Sequence, residues 1–159
     1  LAALLGLPYA FASHFAPDAL MQALEMYRES FTASAQLDRP YAMVGVNVFA
    51  ADTDAEARRL FTSAQQTFAN MVRGTRGQLP PPIDDIESYW SPMEKAQASN
   101  MLACSFVGSA ETIRRDLEAF IARTGADELM VASAIYDHGA RLRSYEILAD
   151  VAKAISKER

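Results

Sequence analysis

"YAMVGVNVFA", residues 41–50, decides how this chain folds. Val44, Val46 and Val48 alternate to one face, and β-branched side chains suit a pleated strand packed against helices. Met43, Gly45, Asn47 and Phe49 alternate to the other face, with one amide among them. A strand apolar on both faces belongs to a parallel sheet covered on both sides. The residues that follow support this. Thr53 to Arg73 reads as a long helix with capping-box spacing at Thr53 and Glu56 and a stripe at Leu60, Ala64, Phe68 and Met71.

The same alternation of strand and helix recurs along the chain. Leu7 to Ala12 is a short apolar run that reads as a buried strand, with Pro8 tolerated near its start. Asp18 to Thr32 reads as a helix with Leu20, Leu24, Tyr27 and Phe31 on one stripe and Pro17 near its first turn. "CSFVGS", residues 104–109, is a third short strand. The helix Ala110 to Thr124 follows, with Ser109 as its expected N-cap and Gly125 as its stop. Glu128 to Tyr136 is the fourth strand, and Gly139 to Ser156 the last helix. Between Gly74 and Met101 the periodicity stops, and four prolines break the pattern, so this stretch reads as a lid-like or disordered loop. "LAALLG" at the start reads as the last turn of a helix stopped by Gly6, with something expected upstream of it.

Four strand–helix units in this order define an α/β fold with a parallel sheet and right-handed crossovers. An open doubly wound sheet and an arc of a (β/α)8 barrel both fit. No G-x-G-x-x-G follows any strand, which disfavours a dinucleotide-binding open sheet. The barrel reading makes residues 1–159 a single partial domain, the C-terminal half of a TIM barrel.

Composition narrows the function classes. A net charge of −5 disfavours a nucleic-acid surface, since phosphate binding needs clustered Lys and Arg. No apolar stretch approaches the roughly 20 residues of a membrane span. The lone Cys104 excludes an internal disulfide, fits a reducing, cytoplasmic setting, and reads as a packed, inert thiol. Two distant histidines without H-x-x-H or C-x-x-C spacing make no metal site.

In either architecture ligands sit at the carboxyl ends of the strands. Ser13 and His14 follow the first strand, Asn47 lies late in the second, Gly108 and Ser109 follow the third, and His138 and Arg141 follow the fourth. His14, between Phe11 and Phe15 in an apolar and selective setting, is the candidate catalytic residue. Asn47 needs a hydrogen-bond partner, in the fold or in a ligand. Ser109 is explained by capping alone, although an anion would also suit the N–H groups there. His138 reads first as a solvated residue at a helix start. Asp84, Asp85 and Glu87 read as solubilising charges in the long loop rather than an acid–base pair.

Three stretches carry a family resemblance. "LAALLGLPYAFASHFAP" resembles the fifth-strand segment of the luciferase-like flavin-dependent monooxygenases, and "VGVNVFAADTDAEARRL" their sixth strand and helix. "FVGSAETIRRDLEAFIARTGADELMVASAIYDHGARLRSYEILA" is similar to the closing third of the same barrels. The resemblance implies a flavoenzyme in which reduced FMN and O2 oxidise an aldehyde or another small organic substrate, with the deazaflavin F420 as the alternative cofactor. It implies Ser13 and His14 beside the flavin ring or substrate, with His14 at the catalytic centre and Ser13 cofactor-binding. Their places at the strand ends make Asn47, Gly108, Ser109, His138 and Arg141 the other expected cofactor-binding positions. It also implies Tyr89 and Trp90 as lid residues, a flavin reductase as a candidate partner, and poor activity for residues 1–159 alone. The alternative is a non-catalytic flavin-binding or self-associating half-barrel. Unpaired strand edges at Leu7–Ala12 and Glu128–Tyr136 point to a homo-oligomer.

Overall fold

The valine strand is the centre of the molecule. The computed structural model describes residues 1–75 and 77–157. Strand β2, Ala42–Ala50, has parallel partners in β1 (Tyr9–Phe11), β3 (Ser105–Gly108) and β4 (Glu128–Ala132). Val44, Val46 and Val48 are completely buried. They pack into one core with Leu20, Leu24, Phe106, Ile113, Leu117 and Phe120. That face is covered by α1 (Leu20–Glu29), α4 (Ala110–Thr124) and α5 (His138–Lys157). The opposite face is covered only at its carboxyl end, where Phe49 and Ala51 meet Ala57, Leu60 and Ala64 of α2 (Asp54–Val72) and Ile135.

The strand order departs from four consecutive barrel strands, which would set β3 between β2 and β4. Val44 pairs with Phe11 of β1 and with Leu129 of β4, while Asn47 pairs with Ser105 of β3 and with Ala132 of β4. A strand has two edges, so β4 runs along one edge of β2, and β1 then β3 share the other. Three strands, β1, β2 and β4, therefore lie side by side as the arc. Strand β3 continues the edge that β1 leaves. The physical reason is length: β1 stops at Phe11, and its ladder with β2 ends at Val44.

Hydroxyl groups close the breaks in the ladder. Between β1 and β3 the Gly45 carbonyl accepts a 2.5 Å hydrogen bond from Ser13 Oγ. Beyond β4 the Val48 carbonyl accepts from Ser133 Oγ at 2.8 Å, and the Ala50 N–H donates to Ser144 Oγ at 2.9 Å. Strand β4 thus ends at Ala132 rather than at Tyr136, because side chains already satisfy the next backbone groups of β2 on that edge.

The stretch from Gly74 to Met101 also differs from expectation. Residues Pro92–Met101 form a helix, α3, opened by a full capping box between Ser91 and Glu94. Trp90 is 8% exposed and packs with Ala69 and Ala98, flanked by Phe68, Ile86 and Tyr89. Arg73 at the end of α2 holds both Glu94 carboxylate oxygens and the Tyr89 carbonyl. Tyr89 and Trp90 are therefore seated against α2 and α3. Helical starts differ slightly as well: residues Pro17–Ala19 form a 3-10 turn ahead of α1, and the opening 3-10 turn Ala3–Leu5 ends at Gly6 with φ of 60°.

Candidate functional site

The valine face is filled, so the other face of the sheet is the one with room. Tyr9, Phe11, Leu129 and Val131 pack on the valine side. The residues alternating with them, Ala10, Met43, Gly45, Asn47, Met130 and Ala132, lie on the other side, where Gly45 and Asn47 are buried. Ala10 is exposed there, and Met130 is 55% exposed. Apart from Asn47 these side chains are apolar, and the middle position, Gly45, has none.

His14 and Asn47 are the polar groups on that side. After β1 the chain turns tightly, the Phe15 N–H donating to the Ala12 carbonyl at 2.9 Å. The turn lays the His14 ring against Gly45, where a Cβ would overlap Nδ1 and lie 2.7 Å from Cε1. His14 Nδ1 is buried and has no hydrogen-bond partner. Phe15, 70% exposed, lies 4.2 Å from the His14 ring between centroids. Asn47 is two residues beyond Gly45 on the same face, about 7 Å along the strand. Its Nδ2 donates to Ser105 Oγ at 3.3 Å.

The remaining candidates are placed elsewhere or otherwise occupied. Ser13 is completely buried, with its hydroxyl committed to Gly45. Cys104 is buried in the same core, and burial pushes its thiol up despite an opposing contact from Ser13. Ser109 stands at the N-cap position of α4, but its side chain makes no cap bond. The Asp54 carboxylate does that work instead, accepting from the Ser109 N–H at 2.7 Å and from Thr112 Oγ1 at 3.2 Å. The Ser109 N–H first, then the Ser109 and Thr112 side chains, hold the Asp54 carboxyl below the usual carboxylate range. Gly108 is required by this arrangement, because a Cβ there would come within 2.5 Å of Thr112 Cγ2 and 2.9 Å of Asp54 Oδ1. An anion position at this helix start is thus already filled by a side chain of α2.

At the start of α5, His138 Nδ1 and Arg141 Nη2 lie 2.8 Å apart and are exposed. Asp137 caps this helix through the Ala140 N–H at 2.7 Å. In the long connection Asp84 pairs with Arg59, and Glu87 pairs with Lys95. Asp85 accepts from the Glu87 N–H. These three carboxylates serve the fold. A groove of about 510 Å³ between α4, α5 and β4, lined by Leu117, Ile121, Tyr145, Leu148 and Ile155, reaches Glu128 at the amino end of β4. Among the described residues no cluster of His, Cys, Asp or Glu could hold a metal ion, and no helix is long and apolar enough to cross a membrane.

Sequence reasoning missed Gly45 and Asp54. A lone glycine inside a strand signals close approach by another group, so Gly45 was legible in principle. Asp54 was not, because nothing in the pattern places the first turn of α2 beside the start of α4.

A parallel arc of strands with helices on one face and an open apolar face, carrying its polar groups near the carboxyl ends, defines half of a (β/α)8-type barrel. The chain belongs to the luciferase-like monooxygenase family, whose model matches residues 1–128. It is 52% identical over 151 residues to a luciferase-like monooxygenase of Escherichia coli K12, covering 95% of this chain and 45% of that protein. The crystal structure of apo-MsnO8 superposes with a TM-score of 0.82 at 33% identity, covering 96% of this chain and 46% of that one. A type II Baeyer-Villiger monooxygenase from Pseudomonas putida, solved with FMN, shares the fold with a TM-score of 0.50 at 20% identity, over 90% of this chain and 40% of that one. The chain thus spans about half the length of the relatives it matches.

Proposed function

We propose that this chain forms the C-terminal half of a flavin-dependent monooxygenase with reduced FMN as cosubstrate. The observation that carries the reading is the open apolar face with His14 laid across Gly45 and Asn47 beside it. An apolar surface with few polar groups suits an aromatic ring. The FMN complex of the Pseudomonas putida relative favours FMN over F420. One oxygen atom of O2 enters an aldehyde or another small organic substrate and the other leaves as water; reduced FMN supplies two electrons and two protons.

The chain's own residues have distinct parts in this reading. His14 touches the substrate and hydrogen-bonds it, and Asn47 orients a polar group of the ring or substrate. Ser13 keeps the turn in place through Gly45. His138 and Arg141 are the exposed groups at the start of α5 suited to the phosphate end. Gly108 and Ser109, engaged with Asp54, contribute the shape of the rim. A flavin reductase supplies the reduced cofactor, and the work takes place in the cytoplasm.

The test is His14→Ala in the natural protein that contains this chain, assayed with chemically reduced FMN, O2 and a series of aldehydes. Turnover is expected to fall by about 10²-fold or more while FMN binding is retained. Unchanged turnover removes His14 from the catalytic centre. A second reading, a self-associating half-barrel that binds flavin without turnover, is favoured by the unpaired outer edges of β1 and β4. Native mass spectrometry of residues 1–159 with FMN separates the two: a flavin-bearing dimer supports the second, and a chain without flavin supports the first.

A further inference from the structure

The contact between His14 and Gly45 has a consequence for which nitrogen of the imidazole faces the substrate. Of the side-chain and backbone atoms around a Cβ at Gly45, Nδ1 and Cε1 of His14 come nearest, and the next is the Ala12 Cα at 3.4 Å. The ring therefore meets β2 along its Nδ1–Cε1 edge rather than its flat face. A proton on Nδ1 would point into the Gly45 methylene group, where no acceptor exists. A lone pair there meets only a weakly acidic C–H. The proton of the neutral ring then belongs on Nε2.

We propose that Gly45 is a positioning residue that fixes His14 as the Nε2–H tautomer, so that the ring offers a hydrogen-bond donor to a carbonyl oxygen of the substrate. The identity of that acceptor rests on the monooxygenase reading; the tautomer and the role of Gly45 do not. His14 in this form polarises a carbonyl and does not remove a proton. Ser13 is engaged with the Gly45 carbonyl and Asn47 donates to Ser105, whereas His14 Nδ1 is the buried polar atom against Gly45 that has no partner. Any side chain at Gly45 would force the ring to retreat by about 1 Å, a displacement that costs about 10²-fold in rate when it moves a catalytic group.

The experiment is 15N NMR of the natural protein labelled at histidine, with the His14 signals identified by their loss in His14→Ala. With the ring in its neutral form, one pyridine-like and one pyrrole-like nitrogen are expected, with the pyridine-like signal coupled as Nδ1. A pyrrole-like Nδ1 overturns the proposal, whatever the enzyme turns over. Gly45→Ala is expected to shift both His14 signals and to lower aldehyde turnover by about 10²-fold through kcat rather than through KM for FMN. Shifts absent in Gly45→Ala overturn the positioning role. Because Gly45→Ala also strains the fold, its urea midpoint is compared with that of the His14→Ala/Gly45→Ala double variant. Recovery of the midpoint in the double variant supports the contact, and an equal loss in both overturns it. Failure of the monooxygenase reading would appear separately, as absent turnover in the unsubstituted protein with its tautomer intact.

Discussion

Ser13→Ala tests whether a single hydroxyl closes the gap between β1 and β3. The Ser13 side chain is completely buried, and its Oγ donates to the Gly45 carbonyl. No backbone N–H reaches that carbonyl from β1, whose ladder ends at Val44, or from β3, whose ladder begins at Asn47. Removing the hydroxyl leaves a buried acceptor with nothing to accept from, which costs about 1–3 kcal/mol. Ser109→Ala is the informative control. Ser109 stands where a helix cap normally contributes about 1 kcal/mol, but its hydroxyl makes no cap bond and Asp54 satisfies the helix start. Its loss should stay within about 0.5 kcal/mol. Urea unfolding of the natural protein and the two variants measures both, with the slope unchanged and only the midpoint moving. The reasoning fails if Ser13→Ala costs no more than Ser109→Ala, or if Ser109→Ala shows the penalty of an ordinary cap.

Two further outcomes follow from the same geometry. Gly108→Ala should destabilise by about 1–3 kcal/mol through overpacking against Thr112 and Asp54, read from the same urea curves; a neutral substitution would show that the Asp54 junction yields easily. Acid should release the segment around Trp90. Arg73 and the Ser91 N–H hold the Glu94 carboxyl down from its ordinary 4.5 to about 2, so its stabilising contribution is present above 4.5 and disappears as pH falls toward 2. Trp90 is the single tryptophan of these 159 residues, and its fluorescence, taken as the difference between the natural protein and Trp90→Phe, should follow that loss. Glu94→Gln should remove the part owed to Glu94 and leave the part owed to the Glu87 carboxylate that accepts from the Trp90 indole N–H. An identical acid profile in both would detach Glu94 from the seating of Trp90.

The central strand and the helices around it were legible because burial and periodicity coincide there. Val44, Val46 and Val48 are completely buried, and Ile113, Leu117 and Phe120 form the buried stripe of α4. Helix α3 escaped because its apolar residues have no helical stripe, and only Ala98 of its ten residues is buried. Its signal was the run Ser91-Pro92-Met93-Glu94, a capping box with proline at the first helical position. The position of β3 was not legible from local pattern at all. Strand order depends on which edge of β2 is free, and that depends on where β1 stops. Among the site residues, the face on which Asn47 lies followed from alternation along β2, whereas the contact of His14 with Gly45 depends on the turn after β1. The engagement of Ser109 with Asp54 did not follow from local pattern either, since the two are 55 residues apart.

The short length of β1 connects these features. Its register sets Phe11 opposite Val44, so a continued strand would set Ser13 opposite Val46 and His14 opposite Asn47. That edge of Asn47 is already taken, since its N–H donates to the Cys104 carbonyl at 2.9 Å and its partner is Ser105. Strands β1 and β3 therefore compete for one edge, and β1 must leave the sheet. Once it turns at Ala12, two things happen within two residues. Ser13 replaces the missing backbone donor at the Gly45 carbonyl, and His14 folds back onto the Gly45 Cα from the open side. A glycine at 45 is demanded by the second event, and the first makes the chain break tolerable. The serine and histidine are thus a pair with divided labour. One repairs the ladder and the other uses the space that the break creates. An extended β1 would satisfy Gly45 by backbone alone but would have no turn to lay an imidazole edge against the sheet.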